Sequence, residues 1–289
     1  MGSLRPSRLT LQTPISPEAF GVVGLGTMAQ ALLQPWLEEG LVLPESVRAV
    51  VASEASKARW AQTTLAGHSL MVDTDPAWAW RAPVVLLAVK PQQLDAVASQ
   101  AAATAPEPSV GSPPLLISLL AGVRLGRLQQ LFPTRTCVRA VVNTPALVRC
   151  GVTALSWGEE PSSEQCAWLN QLFSRVGGVW FLPEPQLDAF LALTSSGPAF
   201  VALVAEGLAD GAVAAGLPRS LAQELALRTL AGTAALLEQK NLHPGQLKDM
   251  VSSPAGTTIA GLRELERTGL RSSLLEAVLA AAQRSRELA

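Results

Sequence analysis

The stretch FGVVGLGTMAQALL, Phe20 to Leu33, reads as a short apolar strand, a tight turn and the opening of a helix. Within it, Gly24-Leu25-Gly26-Thr27-Met28-Ala29 spaces its small residues as G-x-G-x-x-A. Gly24 permits the turn, Gly26 lets the backbone approach a pyrophosphate, and Ala29 allows close packing of helix on sheet. The helix beginning near Thr27 and Met28 would face the phosphates with free N–H groups and a positive dipole end. The same glycines can serve a purely structural turn. Their place after an apolar strand and before a helix points instead to a dinucleotide.

The pattern continues on both sides of that turn. Strand-like runs fall at Phe20–Val23, Val47–Ala52, Val84–Val89, Leu115–Leu119, Thr136–Val142, Val152–Trp157 and Gly178–Leu182. Helix-like segments such as Met28–Glu39, Leu125–Phe132 and Ser163–Val176 lie between them, which predicts a mostly parallel, doubly wound sheet. After Leu182-Pro183-Glu184-Pro185 the β signal stops. Helices are predicted at Leu187–Ala215, Ser220–Glu238, Gly245–Val251, Thr258–Thr268 and Arg271–Glu287, with turn signals between them. The expected organisation is a loose extension over residues 1–19, a dinucleotide-binding domain over 20–182 and a helical domain over 183–289.

Composition removes several function classes. The 289 residues carry a formal net charge of −1 with no basic run, so no nucleic-acid partner is expected. Three cysteines without C-x-x-C spacing indicate neither a disulfide framework nor a metal site, and a reducing cytoplasm fits best. The most apolar stretch, Ala189 to Ala205, is interrupted by TSSGP and followed by Glu206 and Asp210. It reads as a buried helix and not as a membrane span. The segment AFVALVAEGLADGAVAAG is apolar nearly all round and needs cover on several sides. An interwound helical dimer would supply that cover, as would a well-covered monomer.

Cofactor choice turns on the end of the second strand. An NAD site usually carries Asp or Glu there for the ribose hydroxyl. Here Ser53 takes the position, with Ser56, Lys57 and Arg59 close behind. Hydroxyls and cations suit a 2′-phosphate, so NADPH is favoured over NADH. Glu54 stands against that reading unless its side chain points to solvent. Ala88, Val89, Lys90 and Pro91 lie at the end of another apolar strand, where open α/β sheets bind ligands. Lys90 is otherwise a solvated surface lysine. Asn143 sits at the end of a further strand, where its amide could meet the nicotinamide carboxamide or simply shape an Asn-Thr-Pro turn.

The chain has no tyrosine and two histidines, so it is poor in proton donors for a developing alkoxide. An imine can be protonated before hydride arrives, which favours C=N over C=O reduction. A β-hydroxyacid dehydrogenase would need Lys90, Lys240 or Lys248 as its acid, and a non-enzymatic NADPH-binding protein is compatible with the same fold. One further motif is SSPAGTTIAGL, Ser252 to Leu262. Pro254, Ala255 and Gly256 make a tight approach to a helix starting at Thr257 or Thr258. Its N–H groups, with the hydroxyls of Ser253, Thr257 and Thr258, form either a small anion site or an ordinary helix cap. A substrate carboxylate is the natural occupant of such a site.

Taken together, VGLGTMAQAL, AVKPQ, VVNTPALV, TSSGPAFV and HPGQLKDMVSSPAGTTIAGLRELE resemble the pyrroline-5-carboxylate reductase family from about Phe20 onward. The resemblance implies a Rossmann domain followed by a helical dimerisation domain, with homodimers that assemble in many members into decamers. It implies NADPH-dependent reduction of 1-pyrroline-5-carboxylate to L-proline. It places the substrate carboxylate at Ser253, Gly256 and Thr257, with Thr258 bonded to the ring nitrogen and TSSGPAF near the nicotinamide. It also implies that one subunit's helical domain completes the site beside the other's cofactor domain. Three positions depart from the family's usual pattern: M-P-N-T-P where Val141 and Val142 precede Asn143, S-G-S-G-P-A-Y at Thr194–Phe200, and P-G-G-T-T where Ala255 replaces a glycine.

Overall fold

The computed structural model describes residues 18–104 and 114–288. The extension assigned to residues 1–19 lies outside them except for its last two residues. The chain divides into two compact units between Phe190 and Leu191.

The first unit carries eight strands: β1 (Phe20–Val23), β2 (Val47–Val50), β3 (Met71–Asp73), β4 (Val84–Leu87), β5 (Leu115–Ser118), β6 (Thr136–Val142), β7 (Gly151–Trp157) and β8 (Gly177–Phe181). Their order across the sheet is β3-β2-β1-β4-β5-β6-β7-β8, parallel throughout except between β6 and β7. Six helices flank them: α1 (Thr27–Glu38), α2 (Glu54–Trp60), α3 (Pro76–Trp80), α4 (Leu94–Ala102), α5 (Leu125–Leu131) and α6 (Ser163–Phe173).

Alternation along the strands builds two cores, one on each face. Phe20 and Val22 of β1, with Leu115 and Ile117 of β5, pack with Leu32, Leu33 and Trp36 of α1 and Leu169, Leu172 and Phe173 of α6. Val23, Leu116 and Leu87 point the other way, onto Trp80, Leu94, Val97 and Leu128. A strand buried on both faces reads as a continuous apolar run, which is how β1, β4 and β5 announced themselves. The indole of Trp36 donates to the Leu172 carbonyl at 2.7 Å and meets Phe173 edge-on at 5.5 Å, locking α1 to α6.

The second unit continues α7 (Leu187–Thr194) with α8 (Gly197–Ala214), α9 (Arg219–Gln239), α10 (Pro244–Val251), α11 (Thr257–Arg267) and α12 (Leu270–Leu288). Two expectations are corrected here. The single helix expected over Leu187–Ala215 breaks at Ser195-Ser196, where Pro198 lacks the N–H to continue the ladder and instead opens α8. Nor is that helix buried within the chain. Ala205 and Ala209 are its buried residues, and Ala209 packs with Ala222 and Ala226 of α9 through small side chains. Leu203 is 68% exposed on α8 and Leu227 61% exposed on α9. The segment Glu184–Ala214 is long and apolar enough to cross a membrane by length and composition, and 11% of its apolar window is buried within the chain.

Candidate active site

In the first unit, strand order reverses between β1 and β4, and their C-terminal ends open a crevice of the kind that takes ligands in doubly wound sheets. Gly24 stands at its floor with φ +95°, a left-handed conformation that disfavours any side chain. A Cβ there would lie 2.8 Å from the Ala88 carbonyl oxygen and 3.1 Å from Val89 Cγ1. The turn is pinned on both sides: Gly24 N–H donates to Val50 at 3.0 Å, and Ala88 N–H donates to Val23 at 2.9 Å. Gly26 behaves differently. It caps α1 with φ −74°, and a Cβ on it would meet nothing within 4 Å. The space beside Gly26 is therefore open to a ligand, and Thr27 next to it is exposed. Met28 is half-buried, and Ala29 is 1% exposed against the core, as close helix packing requires. Gln30, unremarked in the sequence, donates through Nε2 to the Leu25 carbonyl at 2.8 Å and fixes the middle of the turn.

The end of β2 carries the second part of the site. Ser53 caps α2 by accepting from Ser56 N–H at 3.2 Å. Lys57 Nζ lies 3.0 Å from Asp73 Oδ1 at the end of β3. That hydrogen bond holds the Asp73 carboxyl below its usual range, helped by the backbone N–H groups of Asp75 and Thr74. Glu54 accepts a hydrogen bond from the Thr74 hydroxyl. Its carboxylate is thus directed at β3 and not simply into solvent. Sequence reading missed β3 altogether, since three half-exposed residues at a sheet edge give neither an apolar run nor a clean alternation.

Past β4, Lys90 and Pro91 are exposed. The Lys90 N–H donates to Gln93 Oε1 at 3.3 Å, and its carbonyl accepts from Gln93 N–H at 2.9 Å. Asn143, 7% exposed, receives the Val152 N–H on its amide oxygen at 2.8 Å. That bond ties the end of β6 to the start of β7 and engages the amide structurally.

In the second unit, Ser253 through Gly256 form a turn closed by Gly256 N–H donating to the Ser253 carbonyl at 3.0 Å. Ala255 occupies the left-handed region at φ +57°. Gly256 caps α11 in extended conformation with no side-chain cap. A Cβ on it would run into the Ser253 hydroxyl, so Ser253 Oγ sits over the helix mouth. The first N–H groups of α11, from Thr257 and Thr258 onward, therefore lack an intrahelical acceptor and converge beside a hydroxyl. Thr257 is exposed and Thr258 half-buried. A groove of about 560 Å³ runs from this loop along α11, lined by Ala255, Gly256, Ile259, Lys248 and Arg263 among others. Lys248, Arg263 and Glu266 bring both signs of charge to its lining, and Arg263 pairs with Glu264 at 3.2 Å.

A pyrroline-5-carboxylate reductase from Synechocystis is 45% identical over 272 residues, covering 93% of this chain and 97% of that protein. The chain belongs to the pyrroline-5-carboxylate reductase family. Residues 184–288 match the model for pyrroline-5-carboxylate reductase dimerisation, and residues 19–122 match that for NADP oxidoreductase, coenzyme F420-dependent. Among solved structures, a family member from Coxiella burnetii aligns with TM-score 0.83 at 28% identity, covering 95% of this chain and 99% of that one. A Plasmodium falciparum pyrroline carboxylate reductase with NADP bound aligns with TM-score 0.78 at 26% identity, covering 93% and 97%. Like the family, the chain is an oxidoreductase built on a pyridine-nucleotide domain.

Proposed function

We propose that the chain reduces 1-pyrroline-5-carboxylate to L-proline with NADPH, in the cytoplasm. The observation that carries this reading is the mouth of α11, where uncapped N–H groups meet the Ser253 hydroxyl in a turn suited to a small carboxylate. Ser253, Gly256 and Thr257 would hold that carboxylate, and the Thr258 hydroxyl would orient the ring nitrogen. The Gly24–Met28 turn would receive the pyrophosphate, because Gly24 seats the backbone and the space over Gly26 is open. Ala88 to Pro91 border the same crevice. Ser53, Ser56 and Arg59 would meet the 2′-phosphate while Lys57 stays paired with Asp73, and Asn143 would stay a brace between β6 and β7.

Bound NADPH supplies the hydride. A protonated cyclic imine asks the protein for orientation and exclusion of water more than for a strong acid. That suits a chain without tyrosine, and it disfavours a hydroxyacid substrate.

Self-association accounts for the bare apolar faces of α8 and α9. Fully burying a leucine or valine side chain stabilises by about 1.5–3 kcal/mol, so a second copy that covers Val201, Leu203, Leu208 and Leu227 gains substantially, while the Ser195-Ser196 break interrupts the apolar run a membrane span would need. The proposed unit is a homodimer, with decamers as its further assembly.

The test compares turnover of 1-pyrroline-5-carboxylate with that of 1-pyrroline, which lacks the carboxylate, in wild type and Thr258→Ala. The carboxylated ring should be strongly preferred. Thr258→Ala should lose about 1.5–3 kcal/mol of transition-state binding, a drop of roughly ten- to hundred-fold in kcat/KM. Equal use of both imines would remove the α11 loop from the reaction.

A further inference from the structure

We propose that Thr74 sets the cofactor preference by holding Glu54 away from the 2′-phosphate corner, an inference that rests on the NADPH reading above. Glu54 is the first acidic side chain after β2, close to the position from which a carboxylate takes a ribose hydroxyl. A carboxylate free to swing there would accept that hydroxyl in NADH and repel the added phosphate in NADPH. In this chain it is not free.

The restraint comes from β3. Val50 of β2 pairs with Asp73, and Val51 N–H donates to the Asp73 carbonyl at 3.0 Å, so the two strand ends lie side by side. From there the Thr74 hydroxyl donates to Glu54 Oε1. Thr74 is itself fixed, its N–H donating to Asp73 Oδ1 at 2.6 Å. Asp73 is anchored in turn by Lys57 Nζ at 3.0 Å and by Asp75 N–H at 3.2 Å. The relay Lys57–Asp73–Thr74–Glu54 does two things to the charge of the corner. It offsets the Asp73 carboxylate with Lys57, and it turns the Glu54 carboxylate toward β3. What remains toward the ribose is the hydroxyl pair Ser53–Ser56, 3.1 Å apart, with Arg59 exposed on the same helix.

The experiment titrates the full chain, without imine, with NADPH and with NADH, following the fluorescence of the reduced nicotinamide. Thr74→Val keeps shape and removes the donor. NADPH binding should weaken roughly three- to ten-fold from the like-charge contact that results, while NADH binding holds or tightens. Glu54→Gln introduced into Thr74→Val should return NADPH binding to the wild-type level, and Thr74→Ser should keep the wild-type ratio throughout. If Thr74→Val leaves both affinities unchanged, or weakens both alike, the relay does not discriminate cofactors. Failure of Glu54→Gln to rescue would equally overturn the proposal. Wild type that binds NADH more tightly than NADPH would sink the NADPH reading before any substitution is made, and the relay's role with it.

Discussion

Gly24 and Gly26 share one motif but answer to different physics, and substituting each with alanine separates the two. At Gly24 the cost falls on the fold. A φ of +95° charges an L-side chain about 1–2 kcal/mol. The new methyl must also displace the Ala88 carbonyl oxygen 2.8 Å away, an overpacking of about 1–3 kcal/mol. The sum is about 2–5 kcal/mol, a large share of the roughly 5–15 kcal/mol that holds a typical domain together. Because Ala88 N–H is bonded to Val23 and Gly24 N–H to Val50, relief by local movement would disturb three strand ends at once. Gly26→Ala meets neither problem: its φ is −74° and no atom lies within 4 Å of the added methyl. Losing a glycine N-cap costs at most about 1 kcal/mol. Its methyl instead occupies the space reserved for the pyrophosphate. Urea unfolding and NADPH titration should therefore split the pair. Gly24→Ala should lower the unfolding midpoint markedly, whereas Gly26→Ala should unfold near wild type while binding NADPH at least ten-fold more weakly. Wild-type NADPH affinity in Gly26→Ala would refute the assignment of the crevice to the pyrophosphate.

Other substitutions read other parts of the molecule. Ala255→Gly should stabilise the second unit by about 1 kcal/mol, since it removes an alanine held at φ +57°; thermal unfolding of the two proteins side by side checks this. Arg135 is 7% exposed, and its guanidinium donates to the carbonyls of Trp80 at 2.6 Å and Ala82 at 3.0 Å. Burial brings its pKa down to about 10, so it stays cationic at neutral pH. Arg135→Met would strand those acceptors and should cost about 2–4 kcal/mol in chemical denaturation, with NADPH affinity unchanged in the folded fraction. Leu203→Lys places a charge on the exposed face of α8 and should shift the protein toward monomer in sedimentation without unfolding it. A Leu203→Lys protein of unchanged size would mean that another surface joins the copies.

What the sequence revealed depended on how strongly each feature is patterned. β1, β4, β5 and β6 are buried along nearly their whole length, so largely apolar runs betray them despite Arg139 in the middle of β6, and the bounds expected for β1 and β6 match to the residue. The glycine turn was legible because Gly24 and Gly26 face constraints that few residues satisfy. β3 was not: Met71, Val72 and Asp73 are too few and too wet, and with them went the Asp73–Lys57 and Thr74–Glu54 contacts that organise the corner after β2. The sequence pattern makes Lys57 a candidate phosphate ligand, and only the folded chain gives it a carboxylate partner. Asn143 likewise turned out to be engaged by Val152 N–H, a contact nine residues apart that no local pattern encodes. The apolarity of α8 was plain in its composition. That it is left open within one chain was not, because cover from a neighbouring helix and cover from a second copy write the same sequence.

The most direct measurement is NADPH consumption on addition of 1-pyrroline-5-carboxylate to the purified chain, run beside NADH and a reaction without imine, with the product identified as L-proline. Rapid, imine-dependent loss of NADPH absorbance with matching proline formation is expected. NADPH that binds but is not oxidised in the presence of the imine would contradict it, and would return the Ser253–Thr258 loop to the role of a helix cap.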